Sequence, residues 1–182
     1  MSDPLDEVLF DAAAALLLKR PGLELVSRAA ALFGFEPPEE EMELTHQDWN
    51  ELFFVPSSGR YMPPLESSFR EKRLGGSLAA NSLAAYRAAG FEPGALDMDP
   101  LWRSALHPDH LGVELAFMCA LLRGAARRPE AASGLAASAT LFHSAHVAPW
   151  AADYGRQLSQ RAQSSLYRHL GHLLEELAGW TP

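Results

Sequence analysis

Apolar residues along this chain recur with the three-to-four-residue spacing of one helix face, and alternating strand-like stretches are nearly absent. In the first half, this spacing and the Pro and Gly breaks predict helices at 4–19, 22–33, 46–54, 66–73 and 78–89. In the second half, the spacing predicts helices at about 109–125, 133–146, 149–159 and 161–178. The pattern therefore predicts an all-α fold, a helical bundle formed by a single chain.

Residues 91–108 separate these two sets of helices and are rich in Pro, Gly and Asp. Such a stretch is typical of a hinge between two packed units. We therefore expect an N-terminal helical lobe at 1–90, the hinge at 91–108 and a C-terminal helical lobe at 109–182, joined in one compact unit. Because a hinge permits exchange of lobes between chains, we expect either a monomer or a domain-swapped dimer.

Composition and charge narrow the class of protein. Hydrophobic residues make up 48% of the chain and charged residues 21%, as in ordinary globular proteins. The formal net charge of −8 argues against a nucleic-acid partner and mildly favours a cationic one, although solubility alone also explains it. A single cysteine, Cys119, excludes an intramolecular disulfide and favours the reducing cytoplasm.

Two further features bear on the compartment and the surface. The longest wholly apolar run, Ala12 to Leu18, is much shorter than the roughly 20 residues of a membrane-spanning helix, so we expect no membrane insertion. A second feature is an acidic run just after Pro37 and Pro38, formed by Glu39, Glu40, Glu41 and Glu43. We expect this run to be a solvated face or the first-turn charges of a helix.

A polar pair begins the strongly apolar helix of the second half. Pro108 suits the first turn of a helix, and Asp109 there would meet the positive end of the helix dipole, so capping alone explains Asp109. His110 and Glu114 are four residues apart and share one helix face beside a core stripe. Sequence alone leaves two interpretations open, a hydrogen-bonded core network or the floor of a cleft.

Two histidines near the end of the predicted helix at 133–146 raise the question of a metal site. His143 and His146 are three apart, and a site that combines them with His110 is conceivable. The chain has no His-Glu-x-x-His motif, no paired cysteines, no nucleophile elbow and no glycine-rich phosphate loop. We therefore predict no metal ligand, no cofactor and no catalytic residue, and we do not expect an enzyme.

A third cluster is the aromatic loop at 48–69, whose members include Trp49, Phe53, Tyr61 and Phe69. Glu66 lies near its end, where it would cap the next helix or receive a cation. Aromatic side chains in such a loop fill a core or line a peptide groove, and the sequence leaves both open.

Four segments, in this order along the chain, resemble the TorD/DmsD/NarJ-like family of cytoplasmic chaperones that mature molybdenum-containing oxidoreductases. They are Asp48-Trp49-Asn50-Glu51-Leu52-Phe53, Tyr61-Met62-Pro63-Pro64-Leu65-Glu66-Ser67, Pro108 to Met118, and His146-Val147-Ala148-Pro149-Trp150. The family's longer motif reads Glu-Pro-x-Asp-His, whereas this chain lacks the glutamate and has Pro108 directly before Asp109. The resemblance therefore leaves the subfamily and the client enzyme open.

The resemblance implies a TorD-like fold of two helical lobes and a non-catalytic function. Such a protein binds the twin-arginine signal peptide of an apo-oxidoreductase in the cytoplasm until the molybdopterin cofactor is inserted. A signal peptide carries two arginines and an apolar stretch, so its receptor needs carboxylates beside an apolar groove. The residues expected to bind the peptide are Trp49, Phe53, Tyr61, Pro64, Glu66, Ser67, Phe69, Asp109, His110, Glu114, His146 and Trp150.

Two other functions compete with this expectation. One is a helical metal-dependent hydrolase that uses Asp109, His110, His143 and His146. The other is a helical assembly module that recognises a folded partner and has no affinity for signal peptides.

Overall fold

The computed structural model describes residues 4–181, and this part of the chain is all-α without a strand. Its ten helices are α1 (Pro4–Leu18), α2 (Leu23–Phe33), α3 (Glu41–Phe53), α4 (Glu66–Glu71), α5 (Ser77–Ala89), α6 (Pro100–Ser104), α7 (Leu111–Arg127), α8 (Ala132–Phe142), α9 (Ala151–Arg161) and α10 (Ser165–Ala178). None of these described helices is long and apolar enough to cross a bilayer. The predicted all-α fold is confirmed.

Three of the differences between the predicted and observed helices have a clear physical reason. α3 begins at Glu41 instead of residue 46, because the acidic run supplies the first-turn charges that favour a helix start. α6 lies inside the predicted hinge, where Asp99 accepts a hydrogen bond from the Leu101 amide and caps it. α8 ends at Phe142 and continues as a π-helical turn over His143–Val147, which helical spacing alone does not reveal.

The core joins residues from both halves of the chain. Buried side chains from α1, α3, α7, α9 and α10 form one continuous apolar cluster, with α1 packed along α7 and α9 along α10. The predicted hinge is anchored to this body, because the Asp99 amide donates to the Leu18 carbonyl at 2.8 Å and Trp102 is buried. The division into lobes at 1–90 and 109–182 stays a prediction.

Glycine permits the close crossing of α9 and α10. A Cβ atom on Gly171 would lie 2.5 Å from the carbonyl oxygen of Gly155, closer than real contacts allow. A side chain larger than that of glycine at this position would therefore push α9 and α10 apart.

Buried carboxylates hold the start of α10, and we call this group, Glu41, Asp48, Arg60 and Ser164, the α10 cap. Oδ2 of Asp48 accepts hydrogen bonds from the amides of Gln163 and Ser164 and from the Ser164 hydroxyl, at 2.8 to 2.9 Å. Oδ1 of Asp48 accepts from Arg60 at 2.5 Å.

The other carboxylate of the α10 cap belongs to Glu41. It accepts from the Ser165 and Leu166 amides at 3.1 and 2.7 Å. Of the two expectations for the acidic run, Glu41 fits the first-turn charge and not the solvated face, because it lies in the first turn of α3 and is buried. Its carboxylate satisfies free amides at the start of α10.

Candidate functional site

Three segments of the chain converge at the loop before α4. Leu65 forms an isolated antiparallel bridge with His110, so that the Leu111 amide donates to the Pro64 carbonyl at 2.8 Å and the Glu66 amide to the Asp109 carbonyl at 2.9 Å. Pro63 and Pro64 keep this loop extended, because each ring fixes its own φ and excludes the helical conformation for the residue before it. The pairing brings the starts of α4 and α7 side by side.

Asp109 caps a helix other than the one that follows it. Its Oδ2 accepts a hydrogen bond from the Ser67 amide in the first turn of α4 at 2.9 Å. Asp109 is fully buried, and its Oδ1 has no hydrogen-bond partner in the described part of the chain. The aspartate therefore fixes α4 against α7 through Oδ2, while its Oδ1 is buried without a partner.

His110 is the N-cap of α7. Its Nδ1 accepts a hydrogen bond from the Gly112 amide at 3.0 Å, which places the proton of the neutral ring on Nε2. The ring packs edge-on against Trp102 with centroids 4.4 Å apart. Burial, followed by the nearby charge of His107, lowers the pKa of His110 to about 3, so the ring is neutral at physiological pH.

Two carboxylates and an imidazole meet beneath this junction. Nδ1 of His146 lies 2.9 Å from Oε2 of Glu66 and 3.2 Å from the Ser82 hydroxyl, which in turn lies 3.5 Å from Oε1 of Glu114. Burial raises the pKa of Glu114 well above its ordinary value, and the nearby charges of Glu66 and Asp109 raise it further. We call Glu66, Ser67, Ser82, Asp109, His110, Glu114 and His146 the buried cluster.

The π-helical turn sets the position of His146. The His146 carbonyl accepts a hydrogen bond from the Trp150 indole at 2.6 Å, and the imidazole stacks on Phe142 with centroids 4.7 Å apart. Trp150 packs in turn on Phe69 of α4 at 5.5 Å. Because a π turn contains one extra residue, it changes the direction of the side chains within it, and His146 points to Glu66 of α4 and Ser82 of α5.

An apolar groove of about 420 Å³ lies between α5, α7 and α8 and meets the buried cluster at His146. Its walls are mostly alanine and leucine with two phenylalanines, and His146 is the one ionisable residue among the described residues that line it. Leu141 on its rim is 72% exposed. We call this feature the α5–α8 groove.

Arg70 covers the buried cluster beside the groove. Its guanidinium donates to Oε1 of Glu66 at 2.5 Å and to the carbonyl of Ala145, a groove residue, at 3.2 Å. The Arg70 side chain is about one-third exposed, whereas that of Glu66 is fully buried. The arginine therefore separates the Glu66 carboxylate from solvent at the edge of the groove.

The structure brings together some of the residues expected to bind a peptide. Glu66, Ser67, Asp109, His110, Glu114 and His146 are in the buried cluster, and Pro64, Phe69 and Trp150 are next to it. The remaining three lie elsewhere. Trp49 and Phe53 are buried in the core, with Trp49 against Trp102 and Phe53 against Tyr167, and Tyr61 is exposed beside Arg161.

Sequence reasoning missed Ser82, Arg70 and the groove wall. The spacing of Glu66 and Arg70, four residues apart, is a signal for their ion pair, whereas no local signal indicates Ser82. The hydrolase hypothesis named Asp109, His110, His143 and His146. Within the described range, these four residues do not form a group of possible metal ligands. The His143 imidazole bonds to the Leu177 carbonyl at 2.7 Å, and His110 uses Nδ1 as a cap.

Comparison with known proteins gives one family. A family model described as "Nitrate reductase delta subunit" matches residues 14–154, which is more than half of the chain. No curated protein and no solved structure matches the sequence.

Proposed function

We propose that this chain, which belongs to the nitrate reductase delta subunit family of molybdoenzyme maturation chaperones, binds the twin-arginine signal peptide of a molybdenum-containing oxidoreductase. It would hold the apo-enzyme in the cytoplasm until its cofactor is inserted. The observation that carries this proposal is an apolar groove that ends at buried carboxylates.

The α5–α8 groove matches the apolar stretch of a signal peptide. Its walls come from Ala88, Ala89, Leu121, Leu135 and Leu141. Small alanine side chains on α5 leave room for a guest chain, and each guest methylene that is buried there contributes about 0.8 kcal/mol. The exposed Leu141 side chain gains a contact when the groove is filled.

Glu66 offers a site for a guest arginine. A peptide arginine that displaces Arg70 would reach Oε1 of Glu66 and the Ala145 carbonyl, the same two acceptors that Arg70 now uses. An arginine–carboxylate bond is directional and charge-assisted, so it would fix the register of the peptide while the apolar stretch supplies affinity. Binding of this kind needs no catalytic group.

Titration of the purified protein with a synthetic twin-arginine peptide tests the groove. Leu141→Asp places a charge on the groove rim and should weaken binding about ten-fold or more, because the apolar stretch would meet a hydrated carboxylate. Leu23→Asp in α2 is the matched control, since Leu23 is 71% exposed against 72% for Leu141 and does not line the groove. Equal affinities of the two variants would show that the peptide binds elsewhere.

The same titration with an Arg70 variant tests the arginine site. Arg70→Gln removes the competing guanidinium and should strengthen binding several-fold, whereas Arg73→Gln, whose salt bridge with Glu71 is on the surface, should have no effect. Replacing both peptide arginines with glutamine should abolish the difference between Arg70→Gln and wild type. Weaker binding to Arg70→Gln would mean that Arg70 contacts the peptide and does not compete with it.

A further inference from the structure

Three side chains of the buried cluster have the arrangement of metal ligands. One ligand atom each from Glu66, Glu114 and His146 lies within 4.8 Å of the other two, and all three residues are buried. The Ser82 hydroxyl lies between them, 3.2 Å from the imidazole and 3.5 Å from Oε1 of Glu114. Two carboxylates and an imidazole form a donor set typical of divalent transition metals.

A second observation is that one carboxylate oxygen of this cluster lacks a hydrogen-bond partner. Oε2 of Glu114 is buried and accepts no hydrogen bond from any residue in the described range. Buried carboxylate oxygens are almost always satisfied in native proteins, so an orphaned one calls for a missing cation, water or proton. Arg70 donates to Oε1 of Glu66, and no arginine or lysine of the described range forms a salt bridge with Glu114.

We propose that Glu66, Glu114 and His146 bind one divalent transition-metal ion such as Zn²⁺ or Mn²⁺, with Ser82 beside it. This inference goes beyond the proposed function and does not depend on it. The ion would join α4, α7 and the π-helical turn, the elements that meet at the end of the α5–α8 groove.

The geometry requires only small movements. Ligands at about 2.0 to 2.2 Å from a metal ion are separated from each other by about 3 to 4 Å. Oε2 of Glu66 and Nδ1 of His146 lie 2.9 Å apart and would separate slightly, whereas Glu114 would move inward from at most 4.8 Å. As a ligand, the neutral imidazole of His146 would carry its proton on Nε2 and offer the free Nδ1 to the ion, which would then lie between Nδ1 and Glu66.

Calorimetric titration of the metal-free full-length protein with Zn²⁺ alone, and separately with Mn²⁺, tests the site. We expect the titration to give one ion per chain. We also expect thermal unfolding with the ion to show a melting temperature a few degrees higher, because an ion that binds only the folded state stabilises it. Mg²⁺ is the control ion, since it prefers an all-oxygen octahedral shell and should bind far more weakly.

Variants of the proposed ligand residues test whether they bind the metal ion. Glu114→Gln and His146→Gln should each weaken binding about ten-fold or more, whereas His143→Gln, three residues away in the same turn, should bind as wild type does. Circular dichroism and the melting temperature without metal identify any variant that fails to fold. In that case Ser82→Ala is used in its place, and it should weaken metal binding less than the ligand variants do. The absence of one-to-one binding, or equal affinity in all variants, would overturn the proposal. Peptide binding by the metal-free protein is a separate readout, so either hypothesis can fail alone.

Discussion

Buried carboxylates occur in two regions of this molecule, and their surroundings differ. In the α10 cap, each carboxylate oxygen of Asp48 and Glu41 accepts a hydrogen bond, and Arg60 adds a positive charge. In the buried cluster, Oδ1 of Asp109 and Oε2 of Glu114 have no partner in the described range. The first region is satisfied within the chain, whereas the second is not.

We interpret this difference as that between a stabilising region and the proposed binding region. A satisfied buried network holds elements in place, and the α10 cap joins α3 to the start of α10 with nothing left for a ligand. A buried polar network with unsatisfied atoms lowers the stability of the fold, and native proteins contain such networks mainly at functional sites. The apolar groove adjoins the unsatisfied cluster, and this supports our assignment of binding to that region.

Asp48→Asn should give the largest effect and would test the α10 cap. The amide has one acceptor oxygen where the carboxylate has two, so its NH₂ group faces either the amides of α10 or the Arg60 guanidinium. We expect a loss of about 2–4 kcal/mol in the free energy of unfolding, measured by urea denaturation at pH 7. Asp153→Asn, in an exposed pair with Arg156, should change it by less than about 0.5 kcal/mol. Similar losses would show that the cap is not a specific stabilising network.

His110→Asn should have an intermediate effect and would separate capping from titration in the buried cluster. The unfolded ring binds a proton below about pH 6.5, whereas the folded ring remains neutral down to about 3. The stability that neutral His110 contributes is therefore complete above about pH 6.5 and is lost as the pH falls towards 3. Asparagine keeps a capping acceptor and does not titrate, so stability should fall less steeply with acid, by up to about 1.4 kcal/mol per pH unit.

Urea denaturation at pH 4.5, 5.5 and 7 measures this slope. His172→Asn, at a largely exposed position of α10, is the matched histidine control and should leave the slope near that of wild type. If His110→Asn also leaves the slope unchanged, the buried ring is not the group that resists protonation.

Sequence patterns predicted the helices of the two regions better than the contacts between those helices. Helical spacing gave the all-α class, and the three family-like segments that hold Glu66, Asp109 and His146 do converge. The spacing did not predict that Asp109 caps α4, because the pairing of Leu65 with His110 is a tertiary contact between distant residues. Nor did it predict the π turn that aims His146 or the contact of Ser82 from α5, since neither leaves a periodic signal. Aromatic side chains such as Trp49 and Phe53 suit a groove as well as a core, and only the packing of the folded chain shows that these two are buried in the core.

Glu114→Gln should give the smallest effect, and with Asp48→Asn it applies one chemical change to both regions. A carboxyl whose pKa is raised by burial keeps its proton in the folded protein, and glutamine is a neutral group of nearly the same shape. In the presence of a chelator at pH 5, we expect the free energy of unfolding to change by less than about 0.5 kcal/mol. Above the ordinary carboxyl pKa of 4.5, Glu114 of the unfolded chain releases a proton that Glu114 of the folded chain retains, so the contribution of Glu114 to stability falls as the pH rises. The variant lacks this pH-dependent contribution. The variant should therefore become the more stable protein as the pH is raised from 5 to 8. A large loss at every pH would mean that Glu114 is ionised and satisfied like Asp48, and the contrast between the two regions would then disappear.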